Sequence, residues 1–590
     1  MPKETGPNRP SAWSCILPKK CLRRRGSASR FRSPWNTFRE PTVLSRTVWP
    51  ADRIEVIDVT ASDESNPQAP PRPHRSPLAF LRPSASHTAF SATILLMLST
   101  LLSGVLGLVR TKYINYIFGA GPETDAYNAA FQLPDMLAYF LVGGVASISL
   151  VTILNRYRAQ GDDEGADHAL SIVLNAMIVV LGAGILLAEI FAPFYTRIAF
   201  RGFGPEQAAL CTSLTRILLP AQLFFFIGGV IGSRLLVRKI FLYQAITPLI
   251  YNLGIILGAV FLHQRFGIYS LAIGVLAGVV FGPAALTAFG AFRDGLRYYP
   301  IFQLNHPAFR EWLRLTFPLM VGVSLVTADK WILSYFASND TGGITRLMVA
   351  KTLFTAPMGI LGQAAGAASL PFFSSLFSQN RYQEFATAVN RAVSRVLAAA
   401  LLLGAWMIAL STPIVDLFRG GSFTPADAHA TAIYFTVFAL SIAFWAAQGI
   451  YARGFYAAGN TVTPATAGWV VTLLSIPIYS ALFHGIGLTG LAIASDAGIV
   501  IQTLTLALLL HTRGLVRLSG LELAEFGRAL LAAAIALAGA MAVVHYVPLP
   551  HGHGADLLLI AAGTLVWAVL AALVLRLTGS QLLQQLRARF

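Results

Sequence analysis

From Thr88 onward the chain alternates long apolar runs with short polar punctuation. Fourteen runs of 18 or more residues fall at about 90–118, 125–153, 169–194, 209–235, 244–263, 268–290, 312–336, 346–376, 389–411, 430–452, 464–484, 487–511, 528–547 and 555–576. A helix needs about 20 residues to cross a hydrocarbon core ~30 Å thick, so each run is read as one crossing. Barrel strands would instead show ~10-residue segments of alternating polarity. The pattern therefore predicts an all-α polytopic membrane protein built as a helical bundle.

Composition agrees. Of 590 residues, 55% are hydrophobic and only 12% charged, where a soluble chain carries about 25% charged residues. Three cysteines (Cys15, Cys21, Cys211) exclude a disulfide framework or a Cys-rich metal site. The net charge of +17 would suggest nucleic acid in a soluble chain, so the positions of the cations decide. Residues 1–87 are rich in Pro, Ser and Arg, with clusters at Lys19, Lys20 and Arg23 to Arg25. They read as a disordered basic extension. No apolar segment follows the arginine run to make a cleaved signal peptide. With the N-terminus inside, the inner connections hold Arg156, Arg158, Arg234, Arg238, Lys239, Arg293, Arg297, Arg310, Arg314, Arg381, Arg391, Arg453, Arg513, Arg517, Arg587 and Arg589. The outer ones are poorer, with Arg197, Arg201, Arg265, Arg346 and Arg419. This bias predicts both termini in the cytoplasm and leaves no need for nucleic acid.

Four echoes recur in order, about 215 to 220 residues apart. Arg110 to Phe118 pairs with Asp329 to Phe336, Gly143 to Leu150 with Gly362 to Leu370, Phe203 to Ala209 with Phe423 to His429, and Arg238 to Pro248 with Arg453 to Pro464. They predict two six-helix lobes in a parallel pseudo-two-fold repeat, residues 88–300 and 301–515, with two C-terminal helices in 516–590. Such a repeat frames a central cavity able to open to either side, which is transporter geometry.

An ionisable group inside a span costs at least ~2.5 kcal/mol and so requires a partner, a wet cavity or a function. Arg110 and Lys112 lie within the first span, Asp329 and Lys330 within the seventh, Lys351 within the eighth. Snorkelling is the structural alternative for each. Together they predict a cationic cavity for an anion such as a diphosphate or a carboxylate. Asp125 is a candidate counter-ion for Arg110, or else an N-cap, and Asp329 one for Lys330. Asp496, alone in the twelfth span, is a candidate ion or proton site, or else the partner of a cation on another helix. Pro134, Pro248, Pro357 and Pro464 fall at mirrored places and suit gating helices as well as packing kinks. Among the histidines, His429, His484, His551 and His553 lack metal-ligand spacing, and no Ser or Cys has a base at motif spacing. The sequence thus predicts neither an enzyme nor a metal or cofactor site.

Several of these residues carry a resemblance. Val105 to Arg110, Ile117 to Gly121 with Thr124 to Ala126, Gln132 to Pro134, Leu417 to Thr424, and Gly454 to Ala457 with Thr463 and Pro464 resemble the signature stretches of the MurJ (MviN) lipid II flippases, in the multidrug/oligosaccharidyl-lipid/polysaccharide exporter superfamily. The resemblance implies a bacterial inner-membrane protein that moves the undecaprenyl-diphosphate-linked peptidoglycan precursor outward by alternating access. It implies membrane lipids as neighbours, a monomer, and cell-wall synthesis proteins as candidate partners. By position Arg110 matches a family cavity arginine, Asp125 a family aspartate, Lys330 the basic residue of the seventh-span pair, and Lys351 a family arginine. The chain departs at Gly104, at Ala138 and Tyr139, and at Gly143, where relatives usually carry charge. Some relatives bind sodium through a seventh-span aspartate, matched by Asp329, but the eleventh span offers no acidic partner. The alternatives are an exporter of another polyprenyl-linked oligosaccharide, of O-antigen type, a drug/cation antiporter of the same superfamily, or a non-transporting scaffold. A cation exporter would favour acidic walls, and these read basic.

Overall fold

The computed structural model describes residues 89–142, 146–321, 325–366, 369–548 and 552–582. The basic extension over 1–87, Gly143, and the tail arginines Arg587 and Arg589 lie outside those residues, as do the side chains of the 362–368 echo. The described residues are helical almost throughout.

In the first part of the chain α1 (Ala89–Phe118) is followed by α2 (Pro122–Ala130), α3 (Gln132–Val142), α4 (Ala146–Ala159) and α5 (Asp163–Ala199). Next come α6 (Pro205–Leu218) and α7 (Ala221–Val237), with Pro220 between them, then α8 (Leu242–Phe266) and α9 (Tyr269–Val279). A π-helical turn, Val280–Leu286, contains Pro283 and leads into α10 (Thr287–Arg293). The second part holds α11 (Pro307–Val321), α12 (Leu325–Ala337), α13 (Gly343–Gly366), α14 (Ser369–Ser378), α15 (Tyr382–Ala409) and α16 (Ser411–Asp416). It continues with α17 (Pro425–Leu440), α18 (Ile442–Ala457), α19 (Val462–Thr512), α20 (Leu523–Tyr546) and α21 (His553–Leu577).

Among the described residues nine helical segments are long and apolar enough to cross a membrane, ten if α17 and α18, bent by 43°, count as one. One of the nine, the 51-residue α19, breaks at Ile486 and Gly487, where a φ of 64° suits glycine. The predicted runs over 125–153, 312–336 and 346–376 are each divided among shorter helices.

The cores give the molecule its shape. One cluster joins both parts of the chain: Ala126 and Ala130 of α2, Leu214 of α6, Val275 of α9, Leu333 of α12, Phe354 of α13, Phe435 of α17 and Tyr479 of α19. Toward the other helix ends the core divides in two. One half holds Leu170, Leu235 and Trp312; the other holds Phe385, Phe455 and Leu510. Helix α11 therefore sits in the core of the first half, packed on α3, α4 and α5, while α12 packs on α19. Apart from α11, which joins the first half, the two halves share a buried core at one end among the described residues.

Helices α8 and α9 approach backbone to backbone. A Cβ added at Gly254 would sit 2.6 Å from Gly278 Cα, and one at Gly274 would sit 2.7 Å from the Gly254 carbonyl oxygen. Small residues are the usual means of such contact between membrane helices. The four prolines differ in placement. Pro134 and Pro464 are the third residues of α3 and α19, in a first turn where the missing N–H costs no helical bond. Pro248 and Pro357 lie inside α8 and α13 and each removes one.

Candidate functional site

In the first half Arg110, on α1, donates from Nη1 to Asn252 Oδ1 of α8 at 3.0 Å. Asn252 is fixed in turn by donating to Ser103 Oγ and to the Pro248 carbonyl, both at 3.1 Å. No carboxylate pairs with Arg110 among the described residues, so its charge is held by a neutral amide. Lys112, two residues on, is half-buried on the same helix.

Between the halves Lys330 of α12 meets Asp135 of α3, Nζ to Oδ2, at 2.5 Å. The two side chains keep 43% and 36% of their exposure, so the pair faces water. Asp135 also lines a cavity of about 300 Å³ with Phe131, Gln222, Phe225 and Tyr251.

The second half contains a denser cluster. Lys351 Nζ of α13 lies 2.7 Å from Asp329 Oδ2 and donates to Ser495 Oγ at 2.8 Å. It stands 4.2 Å from the Phe438 ring centre and 4.9 Å from that of Trp445, so its charge is met by aromatic faces as well as by a carboxylate. Tyr479 of α19 donates to Asp329 Oδ1 at 2.5 Å. Asp496 accepts at 2.5 Å from Ser441, the residue at which α17 gives way to α18. The bend thus sets a hydroxyl on the half-buried acid of the twelfth predicted span. Side-chain exposure is 12% at Lys351 and 3% at Asp329.

At the end where the halves share a core, Asp125 accepts from Gly342 N at 2.6 Å, Thr345 N at 2.8 Å and Thr345 Oγ1 at 2.7 Å. A carboxylate from α2 therefore caps the N-terminus of α13, where orphan N–H groups and the helix dipole favour negative charge. Beside it Ser422 N donates to the Tyr116 carbonyl at 2.9 Å and Asn128 Nδ2 to Thr345 Oγ1 at 3.2 Å.

Every charged site residue expected from the sequence except Lys112 is thus seen with a partner, but the partners differ from those expected. Asp125 does not hold Arg110; its own helix is capped at Gly121, and it caps α13 instead. Asp329 does not hold Lys330, because neighbouring helical residues point in different directions; it turns toward α13 and α19 while Lys330 turns toward α3. Lys351 lies in that inner cluster. Sequence reasoning missed Asp135, Asn252, Tyr479 and Ser441. Asp135 was findable as an acid in an apolar run, whereas the other three are ordinary residues of apolar helices.

A polytopic helical protein whose halves meet around embedded charges and share a core at one end has the architecture of a membrane transporter. Residues 114–561 match the family described as "Lipid II flippase MurJ", and the chain belongs to that family. It is 29% identical over 459 residues to the lipid II flippase MurJ of Burkholderia cenocepacia, covering 75% of this chain and 87% of that one. It is 27% identical over 426 residues to the probable lipid II flippase MurJ of Thermotoga maritima, covering 71% and 85%. Among solved structures it resembles a lipid II flippase MurJ in an inward closed conformation, with a TM-score of 0.67 at 26% identity over 82% of this chain and 99% of that one. It shares its fold with an inward-facing multidrug resistance MATE transporter of the MOP superfamily, with a TM-score of 0.59 at 17% identity, covering 72% and 98%.

Proposed function

We propose that this protein flips lipid II, the undecaprenyl-diphosphate-linked peptidoglycan precursor, across the bacterial inner membrane by alternating access, without catalysing a chemical step. In this reading the chain crosses the bilayer fourteen times with both termini in the cytoplasm, the short paired helices completing the second, seventh and eighth crossings. The lobes are 88–300 and 301–515, with α20 and α21 appended.

The observation that carries the reading is the one-ended junction of the halves, closed by Asp125 on α13 and bearing Arg110 without an acidic partner on the way in. In this topology the shared core lies on the periplasmic side and the divided cores on the cytoplasmic side, which is where lipid II is made. Arg110 and Lys330 meet the diphosphate, Lys330 leaving Asp135 to do so. Lys112 adds charge from the same helix. Lys351, sealed against Asp329, holds α13 in register and acts on the headgroup only through that helix. A phosphate beside a guanidinium forms the strong charge-assisted bonds that such a headgroup offers.

The test is rescue of a flippase-depleted bacterium, together with lipid II exposure at the outer leaflet. The unmodified gene is expected to restore growth and exposure, and Arg110→Ala and Lys330→Ala to fail. Full rescue by both neutral variants would overturn the diphosphate role.

A further inference from the structure

The outer connections of this chain are poor in Lys and Arg by the charge bias, yet two arginines gather at the one between α5 and α6, and a third shares their cavity from farther along α6. Arg197 lies in the last turn of α5, Arg201 just beyond its end and Arg216 in the last turn of α6, and all three line a cavity of about 600 Å³. Its floor is the stacked pair Phe200 and Phe203, 5.2 Å apart. Its edge includes Pro205, the first residue of α6, whose N-cap Gly204 offers no side-chain cap to the free N–H groups of that turn. Arg216 lies near one acid, Glu189, at 3.7 Å. No ion pair engages Arg197 or Arg201 among the described residues. The other acid of the region, Glu206, is exposed on α6 and does not line the cavity.

The neighbouring surface of α5 explains what three such charges face. Leu186, Leu187, Ile190, Phe191, Phe194 and Ile198 of α5 are between 45% and 69% exposed, a continuous apolar strip that only lipid would cover. A basic cavity beside an apolar strip on the same helix matches one chemistry, an anionic headgroup with acyl chains attached. We propose that the Arg197, Arg201 and Arg216 cavity binds the phosphate headgroup of an anionic phospholipid whose chains lie along α5. This site is separate from the charges between the halves, and its occupancy does not depend on the flippase reading.

The full-length protein is purified into nanodiscs of phosphatidylcholine with and without phosphatidylglycerol, and retained lipid is counted by native mass spectrometry. The unmodified protein is expected to retain phosphatidylglycerol in preference. The triple variant R197A/R201A/R216A should bind it on the order of a hundredfold more weakly, about fivefold for each arginine. Arg265→Ala, an exposed cation outside the cavity, should leave retention unchanged. The R197K/R201K/R216K variant should keep most of the binding and shows that loss in the alanine variant is not misfolding. Equal retention by the unmodified protein and the alanine variant, both folded by thermal melting in phosphatidylcholine, would overturn the site. Preferential displacement of phosphatidylglycerol by undecaprenyl diphosphate would overturn the choice of occupant.

Discussion

The Asp125 carboxylate accepts the backbone N–H of Thr345 at 2.8 Å across 220 positions of sequence. That contact and its companions at Gly342 N and Thr345 Oγ1 tie α2 to the first turn of α13. Removing an ionised acceptor from buried donors costs on the order of 2 kcal/mol, which is roughly a thirtyfold shift in a two-state equilibrium. Asp125→Ala is therefore expected to open this end. Asp125→Asn, which keeps an acceptor and loses the charge, should open it less. The measurement is labelling of a cysteine at Asn128, half-buried beside Thr345, by a water-soluble maleimide in a chain lacking Cys15, Cys21 and Cys211. An unchanged labelling rate would show that closure rests elsewhere.

Lys351 and Asp329 form a buried pair in which each charge depends on the other. Lys351→Met alone leaves Asp329 at 3% exposure without its counter-ion, with only the Tyr479 hydroxyl still donating to it, and such a loss costs about 3–5 kcal/mol. The double variant Lys351→Met, Asp329→Asn removes both charges and should melt close to the unmodified protein. If the double variant melts as low as the single one, the pair is not what stabilises α13 against α12. A double variant that melts normally and rescues a depleted strain would confirm that Lys351 acts through position, while one that melts normally and fails would return Lys351 to the headgroup.

Much of this was legible in the chain and some was not, for a physical reason. Hydropathy alone located the apolar segments, because about 20 residues are needed to cross the bilayer wherever they occur. Arg110, Asp329, Lys330 and Lys351 stood out because charge is rare there. Their partners did not, since pairing depends on which way a helix turns and which distant helix faces it. Asp135 lies 195 positions from Lys330, and Ser495 lies 144 from Lys351. Ser441 gave no warning of a bend, having neither Pro nor Gly beside it. The division of 312–336 into α11 and α12, packed in different cores, was equally hidden, because a hydropathy run does not reveal which half a helix joins.

Lys330 and Asp135 are close but wet, and exposed pairs contribute only about 0–1 kcal/mol. Lys330→Ala and Asp135→Asn should accordingly leave the melting temperature almost unchanged. Their effects on rescue should diverge. Lys330→Ala is expected to fail and Lys330→Arg to succeed, while Asp135→Asn, which frees the ammonium, should retain activity. A large fall in melting temperature for Lys330→Ala would mark the pair as structural and count against a role at the headgroup.

Glu525 anchors the start of α20 to the end of α21. Its carboxylate accepts from Ser580 Oγ at 2.7 Å, from Arg528 Nη1 at 2.5 Å and from Gln581 N at 3.4 Å. Burial pushes this carboxyl up, but the hydroxyl, the guanidinium and the amide together hold it below the usual glutamate value. A depressed value means that the folded state favours the ionised form. Its contribution is therefore complete above the ordinary carboxylate range, near neutral pH, and is lost as pH falls through that range. Glu525→Gln should lower the melting temperature at pH 7 and have progressively less effect as pH falls below about 4. The measurement is melting of both proteins across that interval. A difference that stays constant with pH would mean that the packing of the side chain, and not its charge, secures α20 to α21.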